Sequence, residues 1–424
     1  MNKKISFITL GCKLNYAETS TYERAFIKEG LEVVSWNSAQ ADIYLVNTCS
    51  VTEHSDKKCR NIIRKLHRTS PEAAIIVTGC YAQLKRAEIE AIEGVLMVFG
   101  AFEKVQIVPK VMHWLKTGEI ESEAEISCLA NETVFAAHSS GERTRSFLKV
   151  QDGCDYKCNY CTVPYARGES RNIPICQIIR QAEEIAAAGI KEVVITGVNT
   201  GDFGKTTGES FFDLLKKLNA VEGIERYRIS SIEPNLLTEE MIDWIASGTK
   251  FQPHFHIPLQ SGSDTVLKEM GRRYDTEAFA RKIEYIREKM ESEGKPKVFF
   301  GIDVIVGFPG ETDELFEETF TFLRDRVKPA FIHIFPYSKR AGTPAAVRKD
   351  QVQDSVKTRR VERLEELSDE LHEKFYTDNA GLQEKVLFES SNKKGSMFGY
   401  TGNYIRIERP YDLSQVGQII DITI

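Results

Sequence analysis

The regular alternation of apolar strands and amphipathic helices is the feature that most limits how this chain folds. In the first hundred residues the apolar runs KISFITLGC, ADIYLVNTC and AAIIVTGC are each followed by a helical pattern. This alternation predicts a parallel sheet covered by helices on both faces. We expect this N-terminal α/β domain over residues 1–117, followed by a polar, acidic linker over residues 118–142.

A second alternating region is predicted over residues 143–372. Its six strand candidates run from SFLKVQ to FIHIFPY, with helical patterns such as ICQIIRQAEEIAAAG between most of them. Six strand–helix units predict a partial (β/α)6 barrel, although an open doubly wound sheet gives a similar pattern. Residues 373–424 change to short strands separated by Gly and Asn, which predicts a small β-barrel. The predicted fold class is α/β with this small β domain at the end.

Cysteine usage and charge limit the compartment and the partners. The chain has nine cysteines among 424 residues, and an odd count disfavours a complete disulfide framework. The first apolar run reads as a strand rather than a signal peptide, and no run is long enough to span a bilayer. These features predict a cytoplasmic protein with no membrane partner. The net charge of −6 gives no global sign of nucleic-acid binding but allows a local basic patch.

Three cysteines are crowded into one loop after the first predicted barrel strand. Cys154, Cys158 and Cys161, here called the loop triad, have the spacing C-x3-C-x2-C. Thiolates suit iron–sulfur clusters and zinc, but structural zinc needs four ligands and no fourth Cys or His lies nearby. Three ligands on a four-iron cluster leave one iron open. A zinc loop and three unrelated thiols are the alternatives.

A second set of cysteines is spread along the N-terminal region. Cys12, Cys49 and Cys80, here called the sheet-edge triad, each end a predicted parallel strand. Because the carboxyl ends of parallel strands share one edge of a sheet, we expect the three thiols to converge on a second cluster. Three separately buried cysteines are the alternative. The remaining cysteines share no spacing and are interpreted as uninvolved: Cys59, Cys128 and Cys176.

Four motifs together carry a resemblance: TLGCKLNYAET, VNTCSVT, VTGCYAQ and GCDYKCNYCTVPYARGESR. They resemble the radical S-adenosylmethionine (SAM) methylthiotransferase family over almost the whole chain. The resemblance implies an N-terminal domain with an auxiliary cluster, a central radical SAM barrel and a C-terminal TRAM domain. It also implies two [4Fe-4S] clusters held by the two triads, SAM bound to the open iron of the loop triad's cluster, and an electron donor such as flavodoxin or ferredoxin.

The implied activity is methylthiolation. One SAM methylates a sulfur on the auxiliary cluster, and a second SAM yields a 5′-deoxyadenosyl radical that takes hydrogen from C2 of a modified adenosine in tRNA. LGCKLN and the short C-terminal domain are most similar to the branch that acts on N6-threonylcarbamoyladenosine at position 37, in the anticodon loop. The isopentenyladenosine branch typically has YGCQMN. The alternatives are that branch, a branch acting on a ribosomal-protein aspartate, a two-cluster electron-transfer protein and a zinc-containing RNA-binding module.

Polar residues and glycines at the ends of predicted barrel strands are candidates for SAM contact under this resemblance. The motifs are NYC in the cysteine loop, ITGVN, SSIEPN, HIPLQSGSD and GIDVIVGFPGET. The active face of a barrel lies at these ends, although an ordinary strand-to-helix turn is the alternative. The candidates are Tyr160, Gly197, Asn199, Ser231, Gln260 and Asp303.

A threonylcarbamoyl group carries a carboxylate, so its pocket is expected to offer a cation. Arg167 and Arg171 follow the cysteine loop and are the candidates, because arginine binds carboxylates through paired charge-assisted hydrogen bonds. The basic run EHSDKKCRNIIRKLHR is a candidate RNA contact, with a solvated helix face as the alternative. Four C-terminal aromatics are expected either to stack on bases or to form the core: Phe388, Phe398, Tyr400 and Tyr404.

Overall fold

The structure is a computed structural model that describes residues 3–37, 40–120, 134–141 and 144–424. Most of the predicted linker, with Cys128, lies outside the described residues. Within these ranges, no helix has both the length and the apolar character that a membrane crossing requires.

The N-terminal region is a parallel five-stranded sheet in the order β2-β1-β3-β4-β5. Its central strand is buried on both faces, since Ile43 and Leu45 join one apolar cluster while Tyr44 and Val46 join another. Helices therefore cover both faces, as the alternation predicts. The strands are β1 (Lys4–Thr9), β2 (Glu32–Val33), β3 (Ile43–Thr48), β4 (Ala74–Gly79) and β5 (Val95–Phe99). The helices are α1 (Lys13–Lys28), α2 (Glu53–Thr69), α3 (Cys80–Leu84), α4 (Arg86–Glu90) and α5 (Ile107–Thr117).

The central region contains six parallel strands, arranged as two three-stranded sheets joined by a parallel bridge between Tyr227 and Phe251. These strands are β6 (Arg145–Lys149), β9 (Glu192–Thr196), β10 (Arg226–Ile229), β11 (His254–Gln260), β12 (Phe299–Val306) and β13 (Phe331–Pro336). A short antiparallel pair, β7 (Gln151–Asp152) and β8 (Arg171–Asn172), closes the base of the cysteine loop. The six strands form the predicted partial (β/α)6 barrel.

Helices connect these strands, and several begin at a capping residue of the kind that favours a helix start. The side chains of Ser210, Thr238, Asp275 and Thr312 each accept a hydrogen bond from the backbone N–H three residues on. The helices of this region are α6 (Val163–Arg167), α7 (Ile175–Ala187), α8 (Phe211–Asn219), α9 (Glu239–Ala246), α10 (Asp264–Met270), α11 (Thr276–Met290) and α12 (Asp313–Thr321).

A long helix, α13 (Asp354–Asp378), packs on β13 and leads into the C-terminal sheet. This antiparallel sheet has the order β16-β15-β14-β17 and is curled into a half-barrel. Its strands are β14 (Gln383–Phe388), β15 (Ser396–Tyr400), β16 (Arg406–Pro410) and β17 (Ile419–Thr423). The predicted fold class is confirmed. The domain division at positions 117, 142 and 372 stays a prediction, and α13 crosses the last of these.

The open side of the partial barrel lies between β6 and β13. Helix α1 of the N-terminal region packs against β6, and α13 packs against β13. Arg340, in the loop after β13, donates hydrogen bonds to Ser50 (2.7 Å) and Asp56 (2.9 Å). The N-terminal sheet therefore faces the barrel with the edge that carries its cysteines.

Candidate cluster and cofactor site

The loop triad lies between β7 and β8, at the carboxyl ends of the barrel strands. Each of its sulfur atoms accepts one N–H hydrogen bond, which favours a thiolate over a thiol. The donors are the Tyr156 backbone to Cys154 (3.4 Å), Nη1 of Arg272 to Cys158 (3.3 Å) and the Val163 backbone to Cys161 (3.4 Å). Such donors to sulfur are typical of cluster ligands, so the loop fits an iron–sulfur cluster.

Burial acts on these thiols in the opposite direction. It raises the pKa of Cys154 to about 11 and that of Cys161 to about 12. Without metal the two side chains are therefore neutral near pH 7, and metal binding must release their protons.

The sheet-edge triad lies at the carboxyl edge of the N-terminal sheet. Cys12 precedes the first turn of α1, Cys49 follows β3, and Cys80 begins α3. Gly11 brings the first two together, because its φ is +109° and a Cβ there would lie 2.6 Å from the Cβ of Cys49. The structure therefore places the three predicted ligands at one edge of the sheet.

The spacing of the sulfur atoms distinguishes a cluster from a single zinc ion. In neither triad do all three sulfurs lie within 4.8 Å of one another. Two thiolates on one zinc are at most about 4.6 Å apart, which is twice the Zn–S distance. Among the described residues neither triad is so close a group, so neither is a preformed site for a single zinc ion. Within the described ranges, one group of possible metal ligands has its ligand atoms within 4.8 Å of one another: His256, Asp303 and His333, inside the barrel.

A cavity of about 360 Å³, here called the cluster cavity, lies between the two regions. All three cysteines of the loop triad line it, and the sheet-edge triad contributes Cys80, so the two triads meet at this space through Cys80. Five of the six predicted SAM contacts also line it: Tyr160, Asn199, Ser231, Gln260 and Asp303. The sixth, Gly197, lies directly before Val198 and Asn199 of the wall, and a Cβ there would meet Oε1 of Gln151 at 2.9 Å. Their contact with SAM stays a prediction.

Asn199 carries the clearest sign of a missing ligand. Both atoms of its amide are buried and have no hydrogen-bond partner among the described residues. Its position is fixed by Gln151, whose Oε1 accepts hydrogen bonds from the backbone N–H groups of Val198 and Asn199, both at 2.9 Å. A buried amide without partners is costly, so a polar ligand in the cavity is expected to pair with it. SAM, with its amino, carboxylate and ribose groups, fits this requirement.

We expect Asn199→Ala to weaken SAM binding about 10-fold, since a buried polar group of bound SAM would lose its hydrogen-bond partner, the Asn199 amide. The free energy of unfolding of the metal-free protein is expected to stay the same or rise, because an unsatisfied buried amide is removed. SAM binding to the reconstituted enzyme and denaturant unfolding of the metal-free protein measure the two effects. Unchanged SAM affinity would contradict the assignment.

Two residues of this wall were not predicted from the sequence. Arg272 donates to Cys158, to the Tyr160 hydroxyl (3.3 Å) and to the Glu233 carboxylate. Burial raises the pKa of Glu233 despite this ion pair. Glu233 lies in SSIEPN, where a polar strand end is a usable signal. Arg272 follows α10 without any local motif, and only the folded barrel brings it to Cys158.

The predicted substrate ligands lie elsewhere. Arg167 is buried and donates to Cys80 (Nε to Sγ, 3.3 Å), Asp152 (2.9 Å) and Asn15 (2.8 Å). Arg171 donates to the backbone carbonyl of Arg167 (2.8 Å) and lies over the Phe102 ring. Neither lines the cluster cavity. Their binding of substrate stays a prediction, while the contacts show that Arg167 lies against the sheet-edge triad.

The predicted RNA contacts divide between surface and core. Helix α2 buries Cys59, Ile63 and Leu66, and it exposes its lysines and most of its arginines. In the C-terminal sheet, Phe388 and Phe398 are buried in the core. Tyr400 and Tyr404 stack on each other with ring centroids 4.7 Å apart, and they face the interior of the barrel.

The cysteine loop on a partial barrel defines the class of radical SAM enzymes. The Radical SAM superfamily matches residues 148–323, and the uncharacterized protein family UPF0004 matches residues 4–100. Enzymes of this class use SAM and a [4Fe-4S] cluster. In structural comparison, the radical SAM methyltransferase TsrM from Kitasatospora setae has a TM-score of 0.57 at 15% identity, covering 82% of this chain and 77% of that chain. At this identity the likeness shows the fold alone.

Full-length relatives define the family more narrowly. The threonylcarbamoyladenosine tRNA methylthiotransferase MtaB of Bacillus subtilis is 38% identical over 99% of this chain and 93% of its own length. The protein of the same name from Aquifex aeolicus is 36% identical over 99% of this chain and 100% of its length. A tRNA-2-methylthio-N(6)-dimethylallyladenosine synthase from Natranaerobius thermophilus is 30% identical over 100% and 94%. The chain belongs to the tRNA methylthiotransferase family.

Proposed function

We propose that this enzyme transfers a methylthio group to C2 of N6-threonylcarbamoyladenosine at position 37 of tRNA. The observation that carries the proposal is one cavity lined by the whole loop triad and by Cys80 of the sheet-edge triad, from two parts of the chain. The full-length relatives with higher identity, which are named for threonylcarbamoyladenosine, favour this base over the dimethylallyl form. The domain division predicted from the sequence is part of the proposal.

Two [4Fe-4S] clusters are part of this proposal, one on each triad. Cys154, Cys158 and Cys161 would hold the first, and Cys12, Cys49 and Cys80 the second, each leaving one iron without a protein ligand. When bound, these groups and SAM supply the radical and the sulfur that the transfer requires. The reaction needs no side-chain base of the usual kind, which fits a cavity wall where the Glu233 carboxylate is held by Arg272.

The protein's own residues would bind, orient and screen these groups. Asn199 and Gln260 would hold the polar groups of SAM, with Tyr160 beside its adenine. The hydrogen bonds from Arg272 and Arg167 to Cys158 and Cys80 would stabilise thiolates and raise the reduction potential of each cluster.

The proposed partners are tRNA, through its anticodon loop, and an electron donor such as flavodoxin or ferredoxin. The exposed basic side of α2 lies on the helix after Cys49 and offers a surface for phosphates. A tRNA substrate would place the enzyme in the cytoplasm.

The direct test in cells is mass spectrometry of nucleosides from total tRNA, with and without the gene. We expect 2-methylthio-N6-threonylcarbamoyladenosine to disappear on deletion, and its unmethylthiolated precursor to accumulate. Loss of the 2-methylthio form of isopentenyladenosine instead would assign the chain to the other branch. A catalytically inactive Cys158→Ala copy, supplied on a plasmid, is the matched control for the wild-type copy.

A further inference from the structure

A second cavity, of about 570 Å³ and here called the barrel cavity, lies inside the barrel. Residues in the amino-terminal halves of several strands line it, for example Arg145 of β6 and Phe331 of β13, whereas the cluster cavity is at the carboxyl ends. Tyr404 of the C-terminal sheet closes one side, and Lys13 of the N-terminal region reaches it through the open side of the barrel. All three parts of the chain therefore contribute to its wall.

The wall of the barrel cavity has an excess of positive charge. Lys13, Arg145, Arg228 and Arg406 line it, together with four histidines, and no Asp or Glu is among the described lining residues. Its remaining side chains are mostly aromatic or aliphatic. The cavity therefore suits a ligand that combines an apolar body with a negative group.

Two of the cations are already paired outside the cavity. Arg228 donates to Glu192 (2.7 Å), and Arg145 donates to Glu389 (2.6 Å). Asp303 interacts electrostatically with Lys13, but it is held by His256 at 2.6 Å. Arg406 is exposed and lies over the Phe398 ring, 3.8 Å from its centroid, which leaves Lys13 as the cation to be explained.

The Lys13 ammonium makes no hydrogen bond or ion pair with any described residue. Nδ1 of His254, on the same wall, is also buried without a partner in the described ranges. An unpaired charge beside mostly aromatic and aliphatic side chains is unfavourable, and a bound anion would remove that cost. The two unpartnered groups point to a ligand with an acidic group in this cavity.

Lys13 directly follows Cys12, and the two side chains are close enough to interact electrostatically. A base held through Lys13 would therefore be close to the sulfur that the proposed transfer delivers. We propose that Lys13 binds the carboxylate of the N6 substituent of the target adenosine inside the barrel cavity. The inference rests on the proposed function, and it names a specificity-determining residue for it.

A carboxylate on the base and a phosphate of the RNA backbone are both anions that an ammonium can bind. The test must therefore distinguish them. The probes are anticodon stem-loops of one sequence that carry threonylcarbamoyladenosine, its carboxyl methyl ester or isopentenyladenosine. The ester removes one negative charge and leaves every phosphate in place. The enzymes are wild type, Lys13→Gln and Lys13→Arg, with Lys289→Gln as the control. Lys289 is on the outer helix α11 and pairs with Asp243.

We expect the wild-type enzyme to bind the acid about 10- to 100-fold more tightly than the ester, as for a hydrogen bond to a charged group. In Lys13→Gln this preference is expected to fall below about 3-fold, while affinity for the ester stays unchanged. Lys13→Arg keeps the charge and is expected to keep most of the preference. Iron content and SAM cleavage without RNA, measured in parallel, show that the variant is folded and loaded.

Equal binding of acid and ester by the wild-type enzyme would overturn the inference without any variant. A preference that survives in Lys13→Gln would also overturn it, and Arg171→Gln would then show whether the residue predicted from the sequence holds the carboxylate. Loss of ester binding together with acid binding would indicate a phosphate contact, which is a different role. If the wild-type enzyme methylthiolates the isopentenyl stem-loop in preference, the proposed function fails regardless of Lys13.

Discussion

Replacing Cys154, Cys158 and Cys161 together with Ala is expected to remove about half of the iron and all cleavage of SAM. Replacing Cys12, Cys49 and Cys80 is expected to remove the other half, to leave SAM cleavage intact and to abolish methylthio transfer. The reason is that the structure builds the two triads on separate elements, a barrel loop and a sheet edge. Iron analysis and 5′-deoxyadenosine formation, measured anaerobically after reconstitution, distinguish the two sites.

Cys59→Ala is the matched control for these variants. Cys59 is buried on α2 and its Sγ lies 3.5 Å from the backbone carbonyl of Cys49, close to the sheet-edge triad. Burial raises the pKa of this thiol to about 11, as it does for Cys154, so the pKa does not separate Cys59 from the ligands. The variant is expected to keep full iron and activity. A loss of one cluster from Cys59→Ala would mean that four thiolates close the auxiliary site, and the open-iron proposal would be wrong.

The second large effect concerns a buried charge network between the N-terminal sheet and the barrel. Lys104 and Lys149 donate to Glu18 at 2.7 and 2.8 Å, and Arg167 and Lys149 donate to Asp152 at 2.9 and 2.6 Å. Three cations and two carboxylates leave one surplus positive charge. Arg167 also donates a hydrogen bond to Cys80, and a thiolate at Cys80 would neutralise the surplus positive charge.

Arg167→Gln is expected to lower the free energy of unfolding by about 1.5–3 kcal/mol, since it removes the buried charge-assisted hydrogen bond from Arg167 to Asp152 although Lys149 still pairs with that carboxylate. Denaturant titration of the metal-free protein under reducing conditions measures this. Arg171→Gln is the control, because among the described residues that guanidinium donates to one backbone carbonyl and covers an aromatic ring. Equal unfolding midpoints for the two variants would show that the network does not stabilise the interface.

The same network gives a direction for the pH dependence of stability. Burial alone would raise the pKa of Glu18, but Lys104, Lys149 and Arg167 lower it from 4.5 to about 2. A lowered folded-state pKa stabilises the protein above the unfolded value, and the gain is lost as the pH falls from 4.5 toward 2.

Much of the fold was predictable because the signals are local. The helical pattern ICQIIRQAEEIAAAG was predicted from its periodicity, and it forms α7 from Ile175 to Ala187. The three N-terminal cysteines were predicted to converge because each ends a strand of one parallel sheet. The two-residue strand β2 was missed, since two residues carry no periodicity. The short strands predicted after residue 373 include β15 and β16, and Tyr404 in the turn between them has φ +68°.

The parts of the site that were not predicted depend on contacts between distant segments. Lys104 and Lys149 read as surface residues, since charged side chains are rarely buried, and only docking of the barrel on the sheet pairs them with Glu18. Lys13 likewise reads as the polar start of a helix, although the fold places it in the barrel. Arg167 was predicted as a substrate ligand from its closeness in sequence to the loop triad, whereas its contacts are with the sheet-edge triad and the buried network.

The measurement that tests the central claim most directly compares three tRNA substrates with the anaerobically reconstituted enzyme. One carries threonylcarbamoyladenosine at position 37, one carries isopentenyladenosine, and one is unmodified. We expect methylthiolation of the first, with a mass increase at that nucleoside and little product from the other two. Preferred methylthiolation of the isopentenyl form, or modification of a ribosomal protein and of none of the tRNAs, would contradict the account.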